Sequence, residues 1–349
     1  MKKTTVCLLS CFMALFLTAC AVPTDPAGAA KATGNPTDSG EAESEDKEGG
    51  SLPEYTVILD YIPNTNHTGM YVAADKGYYE EEGFKVSFIE PTDLDSNTVV
   101  ATGGATFGVT YQEDLTLARA ASDPLPVKAI AALIQHNTSG FVSLKGSGYT
   151  DPENWEGLTY AGWGGAGEEA VLNAVMIGKG KDPEKLNRII ADGLGYETLG
   201  KACDLMWFFE AWDCIQAEMG GVELDYVPCR ELDERLDYYT PILAASEDTM
   251  ENDPELIRAF LRATEKGYEF AIENPDEAAE ILHKYVPDYD PSLLKRSQEY
   301  LADKFTEDSK RWGEMKDETW RNYTDFLLEY GVLEADVDPA DCFTNEFLP

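Results

Sequence analysis

Five segments of this chain combine aromatic rings, amides and carboxylates at positions where strands of the expected fold end. They span 60–68, 111–113, 135–139, 162–169 and 207–212, and none contains a lysine or an arginine. A site for phosphate, sulfonate, nitrate or carboxylate normally presents basic side chains, although a helix N-terminus alone can hold an anion. Tyrosine and tryptophan faces suit a planar ring, and carboxylates suit an exocyclic amine or a ring N–H. These segments therefore predict a site for a flat heterocycle that is neutral or weakly cationic.

The candidate ligand-binding residues come from all of these segments. Tyr61 and Trp163 are favoured for stacking on a ring. Trp207, Phe208 and Trp212 are weaker candidates, because any single aromatic side chain could instead belong to the core. The other candidates supply polar or backbone contacts and are Asn64, Asn66, His67, Tyr111, Gln112, Glu113, Gln135, Asn137, Gly164 and Glu168.

Dinucleotide binding and nucleophilic catalysis are poorly supported by the residue patterns. Gly162, Gly164 and Gly167 fit a dinucleotide fingerprint, and Asp192 lies at a tolerable distance for the ribose acid. However, acidic residues at 168 and 169 would occupy the helical turn where a pyrophosphate must dock, and would repel it. We expect these glycines to allow close backbone approach to a small ligand instead. The sequence contains no GxSxG elbow and no HExxH motif.

The histidines and cysteines do not form a metal-binding pattern. His67 and His136 both follow strands and could reach one ligand together, but they lack a clear third ligand for zinc, so we expect hydrogen-bonding or loop-bracing roles. His283 is expected on a helix surface or in packing. We expect no metal and no cofactor. The cysteines after residue 200 show no CxxC spacing and are expected as free buried thiols, although some could pair: Cys203, Cys214, Cys229 and Cys342.

The N-terminal region predicts export. Lys2 and Lys3 precede an apolar run over 6–17 that suits a signal peptide and is too short for a comfortable membrane span. The run ends in Leu17-Thr18-Ala19-Cys20, which resembles the lipobox of bacterial lipoproteins, so Cys20 is expected to carry a lipid. An ordinary secretory signal is the alternative. Residues 21–52 are nearly devoid of large apolar side chains and predict a flexible tether.

Length and charge bound the remaining functions. The 349 residues suffice for two domains and a substantial core. With 65 acidic and 27 basic residues, the net charge of −38 argues against nucleic-acid binding through overall charge and against adhesion of the folded surface to anionic lipid.

Strands and helices alternate in two series. Strands are expected in the first series at 55–61, 85–89, 105–110, 127–133 and 141–144, and in the second at 158–161, 188–191, 204–208 and 224–227. From Asp253 onward the pattern is helical, and Asp253 and Asn274 are expected N-caps that precede proline. This order implies α/β architecture in two lobes, with mostly parallel sheets and a ligand cleft between them.

Several motifs resemble one family. The segment 59–69 (LDYIPNTNHTG) is similar to the opening motif of the substrate-binding lipoproteins of ABC transporters for thiamine pyrimidine precursors. The same superfamily includes thiamine pyrimidine synthases and riboflavin-binding transport proteins. The resemblance covers nearly all of 55–349 and recurs at 107–113 (FGVTYQE), 134–140 (IQHNTSG), 162–164 (GWG) and 344–349 (TNEFLP).

The resemblance implies a type II periplasmic-binding-protein fold. One lobe would comprise 55–144 plus 240–349 and the other 145–239, joined by two hinge strands. It further implies a receptor on the outer face of the cytoplasmic membrane, held there only by the lipid on Cys20. Such a receptor captures a thiamine-related aminopyrimidine, of the formylaminomethyl or hydroxymethyl type, and delivers it to an ABC permease with a cytoplasmic ATPase. The alternatives are a riboflavin-binding transport protein and an exported pyrimidine-processing enzyme.

Two departures from the family pattern bear on this expectation. Many relatives carry tryptophan where this chain has Tyr61, which affects the ring contact at that position. The synthases use a lysine for pyridoxal phosphate and a cysteine-rich run. Thr110 stands where that lysine would fall and the run is missing from the sequence, so the resemblance implies a binding protein rather than an enzyme.

Overall fold

The computed structural model describes residues 51–92, 94–191 and 193–349. The expected signal peptide, the lipid site at Cys20 and the tether as far as residue 50 lie outside the described residues. Asp192, the candidate ribose acid, also lies outside them. Among the helices in these three ranges, none combines the length and apolar character needed to cross a membrane.

Two mixed sheets organise the described part of the chain. The strands are β1 (Glu54–Ile58), β2 (Lys85–Ile89), β3 (Phe107–Thr110), β4 (Val127–Ala132), β5 (Ser139–Leu144), β6 (Thr159–Gly162), β7 (Asn187–Ile190), β8 (Leu205–Phe209), β9 (Leu224–Pro228) and β10 (Ile242–Ser246). The first sheet has the order β2-β1-β3-β10-β4 and the second β7-β6-β8-β5-β9. We call each sheet with the helices packed on it lobe 1 and lobe 2, respectively.

The expectation of mostly parallel sheets is wrong. In lobe 1, β1 pairs in parallel with β2 and β3, whereas β10 pairs antiparallel with β3 and β4. Lobe 2 repeats this arrangement, with β6 parallel to β7 and β8, and β5 antiparallel to β8 and β9. The antiparallel pairs arise because β5 and β10 are each entered directly from the opposite lobe, without the crossover helix that a parallel neighbour requires.

The chain crosses between the sheets at 133–138 and at 237–241, which we call the two crossover segments. The expected first lobe includes residues 139–144. In the structure, β5 occupies these residues and pairs with strands of the second sheet. The strand is buried on both sides, and a short apolar run of this kind does not specify the sheet it joins.

Helices cover both faces of the sheets. They are α1 (Thr68–Asp75), α2 (Tyr78–Glu81), α3 (Ser96–Ala101), α4 (Gln112–Ala120), α5 (Ala166–Gly178), α6 (Ile215–Met219), α7 (Cys229–Leu232), α8 (Glu247–Asn252), α9 (Pro254–Glu273), α10 (Pro275–Tyr285), α11 (Pro291–Leu301), α12 (Asp317–Glu329) and α13 (Pro339–Cys342). Residues 210–214 form a turn with π-helical hydrogen bonding between β8 and α6. We call it the π-turn.

The expected N-cap of α9 is confirmed. The Asp253 side chain accepts from the Leu256 backbone N–H at 3.3 Å, and Pro254 fills the first helical position. Asn274 precedes α10 and its proline as expected, but its side chain makes no cap bond and donates instead to the Phe270 carbonyl at 3.3 Å. Both helices therefore begin where the sequence indicates. Of the two, α9 has a side-chain N-cap and α10 has none.

Each lobe has its own core. In lobe 1, the rings of Phe107 and Phe260 stack with centroids 3.9 Å apart. In lobe 2, Phe141 packs against Trp155 and Trp207 with centroids at 4.7 and 5.0 Å. Helix α12 contacts both cores, because Trp320 lies in a lobe 1 cluster whereas Tyr323, Phe326 and Leu327 lie in a lobe 2 cluster. This helix thus joins the lobes although the sequence assigned it to the first.

Candidate functional site

A buried histidine braces the loop after β1. His67 is inaccessible to solvent, and its Nε2 lies 2.6 Å from Asp60 Oδ1. Its Nδ1 accepts from the backbone N–H of Asn64 at 3.1 Å, so Nε2 carries the proton that is donated to Asp60. Burial raises the pKa of Asp60, but the contacts with His67 and Tyr111 outweigh it and hold the pKa below its usual range. His67 therefore positions an ionised Asp60.

Most of the amides predicted to contact the ligand are occupied by backbone groups. Asn64 accepts from the N–H of Asn66 at 2.9 Å and donates to the carbonyl of Ile62 at 3.0 Å. Gln112 accepts from the N–H of Tyr239 at 3.0 Å. Asn66 is only half-buried, and its backbone carbonyl accepts from the hydroxyl of Tyr268 at 2.7 Å. These contacts shape the loops that carry the aromatic and acidic groups.

The two amides of the first crossover segment have the same bracing role. Gln135 donates to the carbonyl of Glu314 at 3.2 Å. Asn137 donates to the carbonyl of Leu236 at 2.9 Å and accepts from the N–H of Ser139 at 2.9 Å. They fix the first crossover segment against the residues just before the second one and against the C-terminal region of lobe 1.

His136 bridges this first crossover segment to the second. Its Nδ1 lies 2.7 Å from Asp237, and its Nε2 lies 3.1 Å from Asp308. The hydrogen bond with Asp237 raises the pKa of His136, and burial lowers it by less. His67 and His136 thus hold separate carboxylates and do not converge on one ligand. Within the described ranges, no group of three or more His, Cys, Asp or Glu side chains could hold a metal ion.

The four cysteines of the described ranges are free thiols. Cys203, Cys229 and Cys342 are buried, and Cys214 is half-buried. Burial raises the pKa of the Cys214 and Cys342 thiols to about 12. These groups therefore remain protonated and unreactive near neutral pH.

Two aromatic side chains remain exposed at equivalent strand ends. Tyr61 follows β1 and is 55% exposed, and Trp163 follows β6 and is 42% exposed. Trp207 is buried beneath Trp163, with ring centroids 5.3 Å apart. Phe208 points to the opposite face of the second sheet and packs in the core there. Trp212 is half-buried against Tyr289 at 5.7 Å. Tyr61 and Trp163 therefore offer the free ring faces.

The glycine-rich turn of lobe 2 folds around Glu168. Its carboxylate is 1% exposed and accepts from the backbone N–H groups of Trp163 at 3.2 Å and Gly164 at 2.6 Å, and from the Tyr160 hydroxyl. A Cβ at Gly162 would lie 1.9 Å from this carboxylate. Gly162 thus admits a side chain of the protein. Burial is the largest effect on the pKa of Glu168 and raises it.

The two lobes meet where helices α4 and α5 begin. Asp114 accepts from the N–H of Gly167 at 3.1 Å. Glu113 is 3% exposed, with Oε1 3.5 Å from the Tyr238 hydroxyl and Oε2 without a hydrogen-bond partner. Burial raises the pKa of Glu113 well above its usual value and that of Asp114 to about 6. Glu113 therefore has a buried oxygen that is free to accept an N–H from a ligand.

A further carboxylate faces Tyr61 from lobe 2. Asp213 in the π-turn accepts from the N–H of Phe209 at 2.9 Å, and burial raises its pKa to about 6. Burial raises the pKa of Tyr61, and the charge of Asp213 raises it further. Among the described residues, no hydrogen bond or ion pair joins a Lys or Arg side chain to these cleft carboxylates, which are Asp60, Glu113, Asp114, Glu168 and Asp213.

Sequence reasoning missed three of these acids as site residues. Asp60 ends the first strand run, Asp114 stands in the first turn of α4, and Asp213 in the turn after β8. The sequence signal that could have identified these site residues was an acidic residue shortly after a strand in each lobe. That signal is weak, because acidic residues are common in the first turn of helices.

Comparisons with known proteins identify the family. A family model described as "NMT1/THI5 like" matches residues 64–278. This chain belongs to that family. The formylaminopyrimidine-binding protein of Halalkalibacterium halodurans is 28% identical over 309 residues, which cover 84% of this chain and 91% of that protein. The riboflavin-binding protein RibY of Chloroflexus aurantiacus is 27% identical over 360 residues, which cover 100% and 99%.

The family also contains enzymes. The 4-amino-5-hydroxymethyl-2-methylpyrimidine phosphate synthase of Legionella pneumophila is 24% identical over 309 residues, which cover 84% of this chain and 92% of the enzyme. The resemblance expected from the sequence is confirmed, since it named binding proteins and synthases of one superfamily.

Solved structures confirm the expected fold. The alkanesulfonate-binding protein SsuA from Xanthomonas axonopodis pv. citri has a TM-score of 0.63 at 10% identity, and the match covers 85% of this chain and 99% of that one. The nitrate-binding protein NrtA from Synechocystis PCC 6803 has a TM-score of 0.63 at 13% identity, with 85% and 87% covered. At these identities the likeness shows the periplasmic-binding-protein fold and nothing about the ligand.

Proposed function

We propose that this chain is an extracytoplasmic solute-binding protein for a thiamine-related aminopyrimidine of the formylaminomethyl or hydroxymethyl type. It delivers this ligand to an ABC permease that works with a cytoplasmic ATPase. The observation that carries the proposal is the pair of exposed aromatic faces that follow equivalent strands of the two lobes, Tyr61 and Trp163, together with a buried oxygen of Glu113 that has no hydrogen-bond partner.

The charge distribution supports a ligand that donates N–H groups. An aminopyrimidine has a flat ring for stacking and an exocyclic amine for a carboxylate. An anionic ligand would instead meet Asp60, whose pKa is held low, at a strand end without a basic partner for the anion. The binding protein from Halalkalibacterium halodurans, named for formylaminopyrimidine, adds support through its similarity over most of both chains.

Binding without catalysis is the second part of the proposal. Thr110 is 4% exposed at the end of β3, in the position where the resemblance places the lysine of the synthases. A threonine hydroxyl cannot form the Schiff base that a lysine amine forms. Ligand recovered after incubation with the protein is expected to have an unchanged mass, and a product of different mass would contradict this part.

Membrane attachment through Cys20 is proposed from the sequence alone. The tether at 21–52 would then connect the lipid to the folded region. A Cys20→Ala variant is expected to leave the membrane fraction while the ligand affinity stays unchanged. Continued sedimentation of the variant with membranes would argue against the lipid anchor.

A riboflavin receptor is the second candidate, because similarity to RibY extends over the full length of both proteins. A thermal-shift titration separates the candidates, since a ligand that binds only the folded state stabilises it by about 2.7 kcal/mol at a hundredfold excess over Kd. We expect formylaminopyrimidine to raise the melting temperature, and nitrate and an alkanesulfonate to have no effect. A response to riboflavin with none to any pyrimidine would overturn the proposal in favour of the flavin.

A further inference from the structure

Helix α11 is attached to the binding loop of lobe 1. The Ser297 hydroxyl lies 2.5 Å from the Thr65 hydroxyl, and both residues are buried. Thr65 directly follows Asn64, whose side chain accepts from the backbone N–H of Asn66 in the same loop. Because a buried hydroxyl pair tolerates little displacement, a movement of α11 relative to lobe 1 would disturb the loop that carries Asp60 and Tyr61.

Helix α11 also contacts lobe 2. The hydroxyl of Tyr300 donates to the carboxylate of Glu210, the first residue of the π-turn. The next residue, Ala211, is 3% exposed and packs in the apolar cluster of lobe 1. The N–H of Glu210 donates to the carbonyl of Thr138 at 2.9 Å, which fixes the carboxylate near the first crossover segment. The π-turn is thus held from both lobes.

A second contact between α11 and lobe 2 is more exposed. Arg296 lies 2.7 Å from Glu218, with the two side chains 40% and 70% exposed. Solvent screens such a pair, so its contribution is small. Tyr300 is only half-buried, yet burial raises the pKa of its hydroxyl and the neighbouring Glu210 carboxylate raises it further. The phenol therefore stays protonated and donates a charge-assisted hydrogen bond, which is stronger than one between neutral groups.

We propose that Tyr300 and Glu210 form a latch that holds the two lobes in the arrangement of this structure and couples that arrangement to the loop after β1 through Ser297 and Thr65. Both latch residues are positioning residues, since none of the aromatic or acidic cleft groups is part of the contact. Their effect on affinity rests on the proposed function, because apparent affinity scales with the fraction of protein in the binding-competent state.

The first test measures the lobes without any ligand. Hydrogen exchange of the full-length protein in detergent is compared for wild type, Tyr300→Phe and Glu210→Gln. We expect both variants to exchange several-fold faster at 210–219 and 291–301, with no change in the strands of either sheet. Unchanged exchange at 210–219 and 291–301 in both variants would overturn the latch, whichever ligand the protein binds.

The second test follows dissociation of formylaminopyrimidine by stopped flow. We expect each variant to release the ligand about tenfold faster, with the association rate nearly unchanged. The double variant is expected to match the single variants, because both changes remove one contact. Fully additive effects would contradict a shared contact. If the wild type binds no pyrimidine, the proposed function fails while the exchange experiment still decides the latch.

Two variants serve as matched controls. Tyr285→Phe removes a hydroxyl from a tyrosine on α10 whose ring contacts Tyr71 within lobe 1. Arg296→Gln removes the exposed ion pair on the same face of α11. Both are expected to leave exchange and dissociation within about twofold of wild type. An effect of Arg296→Gln as large as that of Tyr300→Phe would assign closure to surface charge and refute the latch.

Discussion

The two lobes use the same strand order but stabilise their cleft loops in opposite ways. In lobe 1, the loop after β1 is held by a pair of ionisable groups, His67 and Asp60, which keeps the pKa of Asp60 low. In lobe 2, the turn after β6 is held by Glu168 through neutral donors, and burial raises the pKa of that carboxyl. An equivalent place in the fold thus yields a fixed charge in lobe 1 and a titratable group in lobe 2.

This difference indicates a division of tasks between the lobes. Lobe 1 holds an ionised carboxylate against His67 in the loop after β1, whereas lobe 2 presents Trp163 on a glycine turn that depends on one buried carboxyl. The following predictions test whether the lobes differ in this way, beginning with the largest expected effect.

Loss of the histidine brace is expected to affect lobe 1 most. His67→Ala leaves Asp60 buried without its partner and should lower the free energy of unfolding by about 3–5 kcal/mol, measured by chemical denaturation. His136→Ala is the matched control, because its half-exposed carboxylates remain solvated. If His136→Ala lost as much unfolding free energy as His67→Ala or more, burial of the His67–Asp60 pair would not be the cause of the large effect.

Replacing Glu113 is expected to lower the ligand affinity and to raise the stability of the unliganded protein. Glu113→Gln should weaken binding of formylaminopyrimidine about 100-fold by calorimetry, since it replaces one of the two carboxyl oxygens with an NH2 group that cannot accept a buried N–H. The same change should raise the melting temperature of the unliganded protein at pH 8, because burial raises the pKa of Glu113 and its ionisation destabilises the fold.

The exposed acid Glu318, in the first turn of α12, provides the control for this experiment. Glu318→Gln is expected to change neither affinity nor melting temperature. If Glu113→Gln bound the pyrimidine as tightly as wild type, the carboxylate would not be a ligand contact.

Ring stacking is expected to rest mainly on lobe 2. Trp163→Ala should weaken binding of formylaminopyrimidine by about 10- to 100-fold, the range typical of removing an aromatic ring that stacks on a base. Trp163→Phe keeps a ring face and should restore most of the affinity. Equal affinities of the Ala and Phe variants would exclude stacking at this position.

A smaller effect concerns the pH dependence of stability. Burial raises the pKa of Asp114 and of Asp213 to about 6, above the usual 3.8. Between about pH 4 and pH 6 the folded state binds more protons than the unfolded state. The stability that these protonated carboxyl groups contribute is therefore fully present below about pH 4 and is lost as pH rises through 6. Asp213→Asn should therefore stabilise the protein at pH 7.5 by on the order of 1 kcal/mol, and by less at pH 4.

The control for the pH experiment is Asp204→Asn. Asp204 also lies in lobe 2 and accepts from a backbone N–H, that of Thr159, at 2.8 Å. Denaturation curves collected from pH 4 to 8 compare the two variants with wild type. A constant difference between Asp213→Asn and wild type over this range would contradict titration of Asp213.

Much of the fold follows from local sequence patterns. The alternation of apolar strands and amphipathic helices placed the C-terminal ends of the predicted strands to within one residue, except that the first was expected to run to 61 and ends at Ile58. The Asp253-Pro254 pair located the start of α9. Sheet membership could not be obtained in this way, because β5 has the same apolar character in either lobe. Contacts of α12 with both cores likewise depend on tertiary packing, which a helical period does not encode.

The residue types of the candidate site could be predicted from the sequence, whereas the contacts that each residue makes were harder to predict. Exposure of Tyr61 and Trp163 agrees with their selection for stacking, although their contact with a ligand stays a prediction. The amides Asn64, Gln112 and Asn137 were selected as polar contacts, yet backbone groups 2, 127 and 99 residues away, respectively, occupy them. Sequence alone does not show which donors are already satisfied, since that depends on how loops approach one another.

The most direct test of this account is a crystal structure of the protein with its captured ligand. We expect a flat nitrogen heterocycle between Tyr61 and Trp163, with an N–H donated to Glu113 and no lysine or arginine in contact with it. An acidic ligand held by arginine or lysine side chains between the lobes would contradict the central claim.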